Sequence, residues 1–144
     1  MHVLGSKVSQ ILIADDDPGI VRLLKLLVER QGFLVDVARD GHEAIEKIEK
    51  GSYVLLLLDL QMPRFNGFDV VDYLGKQSKR PVVLVVTAFP LSPLSRLDPR
   101  VVHAIIRKPF DVELIASIVS STAGMMHHGA GIFDTRADRP RLPN

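Results

Sequence analysis

The amino-acid sequence predicts an α/β domain built as a doubly wound, five-stranded parallel sheet with an irregular fourth-helix region. Five short apolar runs recur along the chain, and the segments between them carry helix caps and apolar residues at helical spacing. The runs at 54–58 and 82–86 are also apolar throughout. Unbroken apolar runs of this length suit a parallel strand covered by helices on both faces, whereas a strand with one wet face would alternate. Strand and helix patterns in alternation then imply right-handed crossovers and a layered sheet.

The first run, residues 10–15, ends in Asp15. Asp17-Pro18 follows, offering a side-chain oxygen for an N-cap and a ring suited to the first helical position. Ile20, Leu23, Leu24, Leu27 and Val28 recur at helical spacing, and Gly32 is placed for a left-handed C-cap. The second run, 34–38, leads through Asp40-Gly41 into a short helix carrying Ala44, Ile45 and Ile48, ended by Gly51. The third run, 54–58, stops at Asp59. Met62-Pro63 and Asn66-Gly67 punctuate the loop after it, and Phe68, Val71, Tyr73 and Leu74 give a weaker helical pattern to about Lys76.

Pro81 introduces the fourth run, 82–86, closed by Thr87, and residues 101–106 before Lys108-Pro109 form the fifth. Asp111 is placed to cap a last helix using Leu114, Ile115, Ile118 and Val119. Between Thr87 and Val101 the alternation calls for a helix, yet Pro90, Pro93 and Pro99 interrupt it, so one or two short irregular turns are expected. Residues 124–144 combine glycine, Pro140, Pro143 and mixed charge without periodicity and read as a mobile tail.

With 144 residues, 47% of them hydrophobic, the chain suits one domain with a real core. The 18 basic and 17 acidic residues leave a formal charge of +1 and no polybasic stripe of the kind that draws nucleic acid or anionic membrane. The absence of cysteine excludes disulfides, thiol catalysis and cysteine-ligated zinc, and fits a reducing, cytoplasmic location. No apolar stretch approaches the roughly 20 residues that span a bilayer, so no membrane association is expected. Residues 1–9 contain no apolar block of signal-peptide length, so secretion is not expected either.

Asp15, Asp16, Asp59, Thr87 and Lys108 all stand where apolar runs close. If the runs lie side by side and parallel, three carboxylates, a hydroxyl and an ammonium converge at the carboxyl edge, where open α/β sheets bind ligands. Carboxylates a few Å apart repel by about 3–4 kcal/mol at an effective dielectric near 20, so their convergence is a poor stabilising device. It points instead to a divalent cation and a phosphoryl group.

Four motifs carry a resemblance to a known family: Ile11-Leu12-Ile13-Ala14-Asp15-Asp16-Asp17-Pro18, Leu57-Leu58-Asp59-Leu60-Gln61-Met62-Pro63, Val86-Thr87-Ala88 and Lys108-Pro109-Phe110. In order and approximate spacing they resemble the receiver domains of two-component response regulators, over residues 9–123. The resemblance implies a CheY-like, flavodoxin-like sheet of order 2-1-3-4-5. It implies that Asp59 is the phosphoacceptor, taking a phosphoryl group from a histidine kinase or histidine phosphotransfer protein, with Thr87 and Lys108 assisting. It also implies a Mg²⁺ ion, replaceable by Mn²⁺, held by Asp16, Asp59 and the backbone carbonyl of Gln61, with Asp15 acting mainly through bound water. Lys108-Pro109 is expected to be cis. On this reading the chain is a stand-alone receiver in a phosphorelay, passing its signal to a downstream protein. It is not a turnover enzyme, and 124–144 is too short for an output domain or direct nucleic-acid binding.

The chain departs from the family pattern in places. Ile105 stands where an aromatic residue is usual, and strand alternation places His103 on the same face as Ile105. Gln61 and Phe89 occupy the positions that, in the family, govern access of hydrolytic water. Two other readings remain open at this point. One is a phosphohydrolase of the haloacid-dehalogenase kind using Asp15 and Asp17, which leaves Asp59 and residues 60–63 unexplained. The other is a scaffold that keeps the fold without being phosphorylated.

Overall fold

The computed structural model describes residues 10–90 and 96–127. Five strands, β1 (Gln10–Ala14), β2 (Leu34–Ala38), β3 (Leu55–Leu58), β4 (Val82–Thr87) and β5 (Val102–Arg107), form one sheet in the order β2-β1-β3-β4-β5. Every neighbouring pair is parallel, as the sequence pattern and the resemblance imply. Four helices join and flank them: α1 (Pro18–Glu29), α2 (Gly41–Lys50), α3 (Gly67–Gly75) and α4 (Val112–His127).

Helix starts follow the local chemistry. The Asp17 carboxylate accepts from the N–H groups of Gly19 and Ile20, with proline opening α1. Asp40 caps α2 through the N–H of Glu43, and Asn66 and Asp69 form a reciprocal capping box at α3. Asp111 accepts from Glu113 at the start of α4. At the far end of α1 the C-cap is Arg30, and Gly32 stands beyond it at φ 93°, turning the chain toward β2.

Strand alternation divides the core in two. Leu12, Ala14, Leu56, Leu58, Val83 and Val85 pack toward α2 and α3, against Ala44, Val70, Val71 and Leu74. Ile11, Ile13, Leu55, Leu57, Leu84 and Val86 pack toward α1 and α4, against Leu24, Val28, Ile115 and Val119. Both sets are buried, which is why the central strands are apolar at every position.

The connection after β4 contains no helix among its described residues. Leu97 and Val101 nevertheless pack on the α3 side of the sheet and supply part of the cover that a helix would give.

Strand β5 is irregular, and two expectations about α4 are corrected. A register shift between Val83 and Leu84 pairs Val83 with Val102 and Leu84 with Ala104. That bulge puts Val102 and Ala104 on opposite faces of the sheet. His103 is the extra residue at that shift, its Nδ1 accepts the Val83 N–H at 3.3 Å, and it lines a space of about 260 Å³ with Ala104 and Ser117, Ile118, Ser121 and Thr122 of α4. Leu114 is 48% exposed and adds little to the core. Helix α4 continues through Gly124 to His127, so the expected tail does not begin at 124, and residues 128–144 lie outside the described residues. No helix among the described residues is long and apolar enough to cross a membrane.

Candidate functional site

The register of the sheet assembles the site. Ala14 pairs with Leu58, and Leu58 with Val85, so Asp15 and Asp59 leave adjacent strands at the same level. The Asp15 N–H donates to the Ala38 carbonyl and the Asp59 N–H to the Ala14 carbonyl, which holds both just beyond the sheet. Thr87 closes β4, and the Lys108 N–H donates to its carbonyl. Lys108-Pro109 is cis. On the other side of Asp59 the chain passes under Gly67, where a Cβ would lie 2.4 Å from the Asp59 carbonyl oxygen.

All five polar residues singled out from the sequence meet here. Thr87 Oγ1 donates to Asp59 Oδ1 at 2.9 Å, and Lys108 Nζ donates to Asp59 Oδ2 at 3.2 Å and to Asp15 Oδ2 at 2.9 Å. Asp15 Oδ1 accepts from the Asp17 N–H, and Asp59 Oδ1 from the Gln61 N–H at 3.2 Å. Carboxylate oxygens of Asp15, Asp16 and Asp59 lie within 4.8 Å of one another. Asp15 and Asp59 are buried while Asp16 is exposed. Asp17, by contrast, spends its carboxylate on capping α1.

Electrostatics define what this arrangement lacks. Burial raises the Asp15 carboxyl above its ordinary range, aided by the charge of Asp59 and opposed by the bonds from Asp17 and Lys108. Burial alone would lower the Lys108 ammonium, but the Asp15 and Asp59 carboxylates outweigh it and raise its affinity for the proton. Carboxylates within 4.8 Å of one another repel by about 3 kcal/mol or more per pair at an effective dielectric near 20. One ammonium facing three carboxylates leaves two negative charges uncompensated. The donors are hard oxygens, with no sulfur or imidazole among the three grouped residues, which fits Mg²⁺ or Mn²⁺ and not a soft metal.

The loops around the edge hold further groups. The Phe89 N–H donates to Thr87 Oγ1 at 3.1 Å, and Arg107 Nη1 donates to the Phe89 carbonyl. The Phe89 ring packs edge-on against Phe68 with centroids 5.3 Å apart, and the guanidinium of Arg96 lies over the Phe68 ring. Arg22 and Arg39 line a pocket with Asp15 and Asp16. Neither arginine was singled out from the sequence. Arg39 carried a usable signal, because it too closes an apolar run, whereas Arg22 is visible only once α1 is placed.

Comparison with known proteins agrees with this geometry. The family model described as "Response regulator receiver domain" matches residues 11–120. The CpxR transcriptional regulatory protein of Escherichia coli K12 is 42% identical over 77 residues, 54% of this chain and 33% of that protein. The CpxR homolog of Haemophilus influenzae is 40% identical over 77 residues, 54% of this chain and 34% of that protein. The matched part thus spans about a third of the length of these relatives. Among solved structures, the CheY-like receiver domain protein of Methanospirillum hungatei superposes with TM-score 0.74 at 25% identity, over 85% of this chain and 99% of that one. Response regulator TrrA of Thermotoga maritima, solved in complex with Mg²⁺-BeF, gives TM-score 0.71 at 30% identity, over 80% of this chain and 99% of that one. With its sheet order, its clustered acids and a family match over most of its length, the chain belongs to the response regulator receiver domain family.

Proposed function

We propose that Asp59 is the phosphoacceptor and that the domain takes its phosphoryl group from the phosphohistidine of a histidine kinase or histidine phosphotransfer protein. One observation carries the assignment: among the described residues, Asp59 alone receives both the Thr87 hydroxyl and the Lys108 ammonium. A carboxylate held by two such donors is fixed in orientation, with its charge balanced as the donor approaches.

In the transfer, an Asp59 carboxylate oxygen attacks phosphorus, the P–N bond of phosphohistidine breaks, and its electron pair stays on the imidazole. The product is an acyl phosphate on Asp59. Lys108 balances charge on the transferred oxygens, and Thr87 turns its hydroxyl from the carboxylate to one of them, since charge spread over three oxygens is what the site must stabilise. Asp16, Asp59 and the Gln61 carbonyl would hold Mg²⁺, or Mn²⁺ in its place, with Asp15 contributing through water. When bound, the ion supplies the positive charge that the three acids lack. The Mg²⁺-BeF complex of the TrrA neighbour supports the same choice of cation.

The domain is a signalling module and not a turnover enzyme. It acts in the cytoplasm through protein contacts, with hydrolysis of the acyl phosphate resetting it. The transcriptional role named for the CpxR relatives belongs to proteins about three times as long as the matched segment. The capping role of Asp17 counts against a phosphohydrolase using Asp15 and Asp17 as its catalytic pair.

Incubation with acetyl phosphate and Mg²⁺, followed by intact-mass measurement, should add one phosphoryl group to the wild type and none to Asp59→Asn. Labelling that survives in Asp59→Asn would overturn the assignment.

A further inference from the structure

The acidic cluster has a second wall. A pocket of about 180 Å³ is lined by Asp15, Asp16, Pro18, Val21, Arg22 and Arg39, so two arginines and two aspartates border one cavity. Arg22 stands on the second turn of α1, and Arg39 directly follows β2. Both residues are exposed, and among the described residues neither guanidinium has a hydrogen-bond or ion-pair partner. The backbone of Arg39 is held by its N–H on Glu43 Oε1 at 2.7 Å, which fixes where the side chain departs. Opposite charges that line one cavity without closing on each other leave both available. The carboxylates can take a cation, and the guanidinium pair can take an anion with oxygens in a plane, as a phosphoryl group presents.

We infer that Arg22 and Arg39 receive the phosphoryl dianion of the donor on its way to Asp59, whatever leaving group the donor carries. The inference rests on Asp59 as acceptor. Three carboxylates repel an approaching dianion, and Lys108 is already shared between Asp15 and Asp59. The two arginines offset that repulsion on the solvent side of the acids, so their contribution lies in the arrival of the donor and not in the fate of the acyl phosphate. The same two charges oppose cation binding at Asp15 and Asp16. Their removal therefore has effects of opposite sign on the two ligands, which a merely structural role would not produce.

The test follows phosphorylation of the full chain by intact mass, with acetyl phosphate in one arm and monophosphoimidazole, standing for phosphohistidine, in the other. Each single alanine variant should react about threefold more slowly and Arg22→Ala/Arg39→Ala about tenfold, by Coulomb interaction at the distances of a small pocket. Added salt should slow the wild type more than the double variant. Arg22→Lys/Arg39→Lys should recover most of the rate by keeping the charge. Calorimetric titration with MgCl₂ should show tighter binding to the double alanine variant, and its acyl phosphate should decay as in the wild type. Unchanged rates in the alanine variants, slowing with only one of the two donors, or weaker Mg²⁺ binding would each overturn the inference while leaving Asp59 in place. A wild type that accepts no phosphoryl group from either donor would remove both.

Discussion

Asp36 shows how a single side chain ties an edge strand to the fold. It lies on β2, accepts from Lys47 Nζ at 2.8 Å and from Tyr53 Oη at 2.8 Å, and so links α2 to the segment before β3. Burial pushes its carboxyl up, but the bonds from Lys47, Tyr53 and the Val37 N–H hold it below its ordinary value of 3.8. Burial and the Asp36 charge push the Tyr53 phenol up in turn. A carboxylate whose folded-state pKa is depressed stabilises the fold fully above its unfolded pKa and loses that contribution as pH falls through the folded value. The Asp36 side chain is 37% exposed, so solvent screening limits the gain. Asp36→Asn should cost about 1 kcal/mol in urea unfolding at pH 7. The gap to wild type should close as the pH is lowered below about 3.8. A gap that is constant down to pH 3 would mean that packing, and not ionisation, sets the cost.

At the scale of elements, the site depends on how closely α3 approaches the end of β3. Gly67 opens α3 with space for no side chain, since a Cβ would meet the Asp59 carbonyl oxygen at 2.4 Å and Leu60 Cα at 2.6 Å, both backbone atoms. Gly67→Ala should therefore displace α3 from the end of β3 and cost about 1–3 kcal/mol. Gly75→Ala, where the nearest atoms lie at 3.7 and 3.8 Å, should be neutral or slightly stabilising. Equal urea midpoints for the two variants would refute the close-packing argument. The elements were legible where local chemistry and tertiary demand agree: the caps at Asp17 and Asp111 and the unbroken apolar runs of β3 and β4 gave both the fold and the five polar residues at its edge. They were not legible where a long-range pairing decides. The bulge at His103 depends on how β5 meets β4, and the alternation of one strand read alone does not announce it. Helix α4 passes through Gly124 despite its low helix propensity. Arg22 joins the pocket only because α1 returns across the end of β1.

Across the whole molecule, nearly balanced charge hides a strong local imbalance. The chain carries a formal charge of +1, yet three carboxylates with one ammonium between them sit at one edge of the sheet. The folded state creates that cluster, because only the sheet register brings residues 15, 16 and 59 within 4.8 Å. The unfolded chain keeps Asp15 and Asp16 as neighbours but not Asp59 beside them, so folding adds repulsion that a divalent ion bound there would reverse. A ligand that binds only the folded state stabilises it by about 2.7 kcal/mol at a hundredfold excess over its Kd. For a chain of this size that raises the melting temperature by about 8 °C at roughly 3 °C per kcal/mol. Neutralising one acid should act in the opposite order. Asp16→Asn should melt about 3 °C higher than wild type without divalent ions, since Asp16 is exposed and solvent cuts its repulsion to roughly 1 kcal/mol, and should gain little when MgCl₂ is added. Calorimetric scans of both proteins with EDTA and with MgCl₂ give the four temperatures needed. If Asp16→Asn melts below wild type in EDTA, or gains as much from Mg²⁺, the acids are not held together against their own repulsion and the cation is not bound among them.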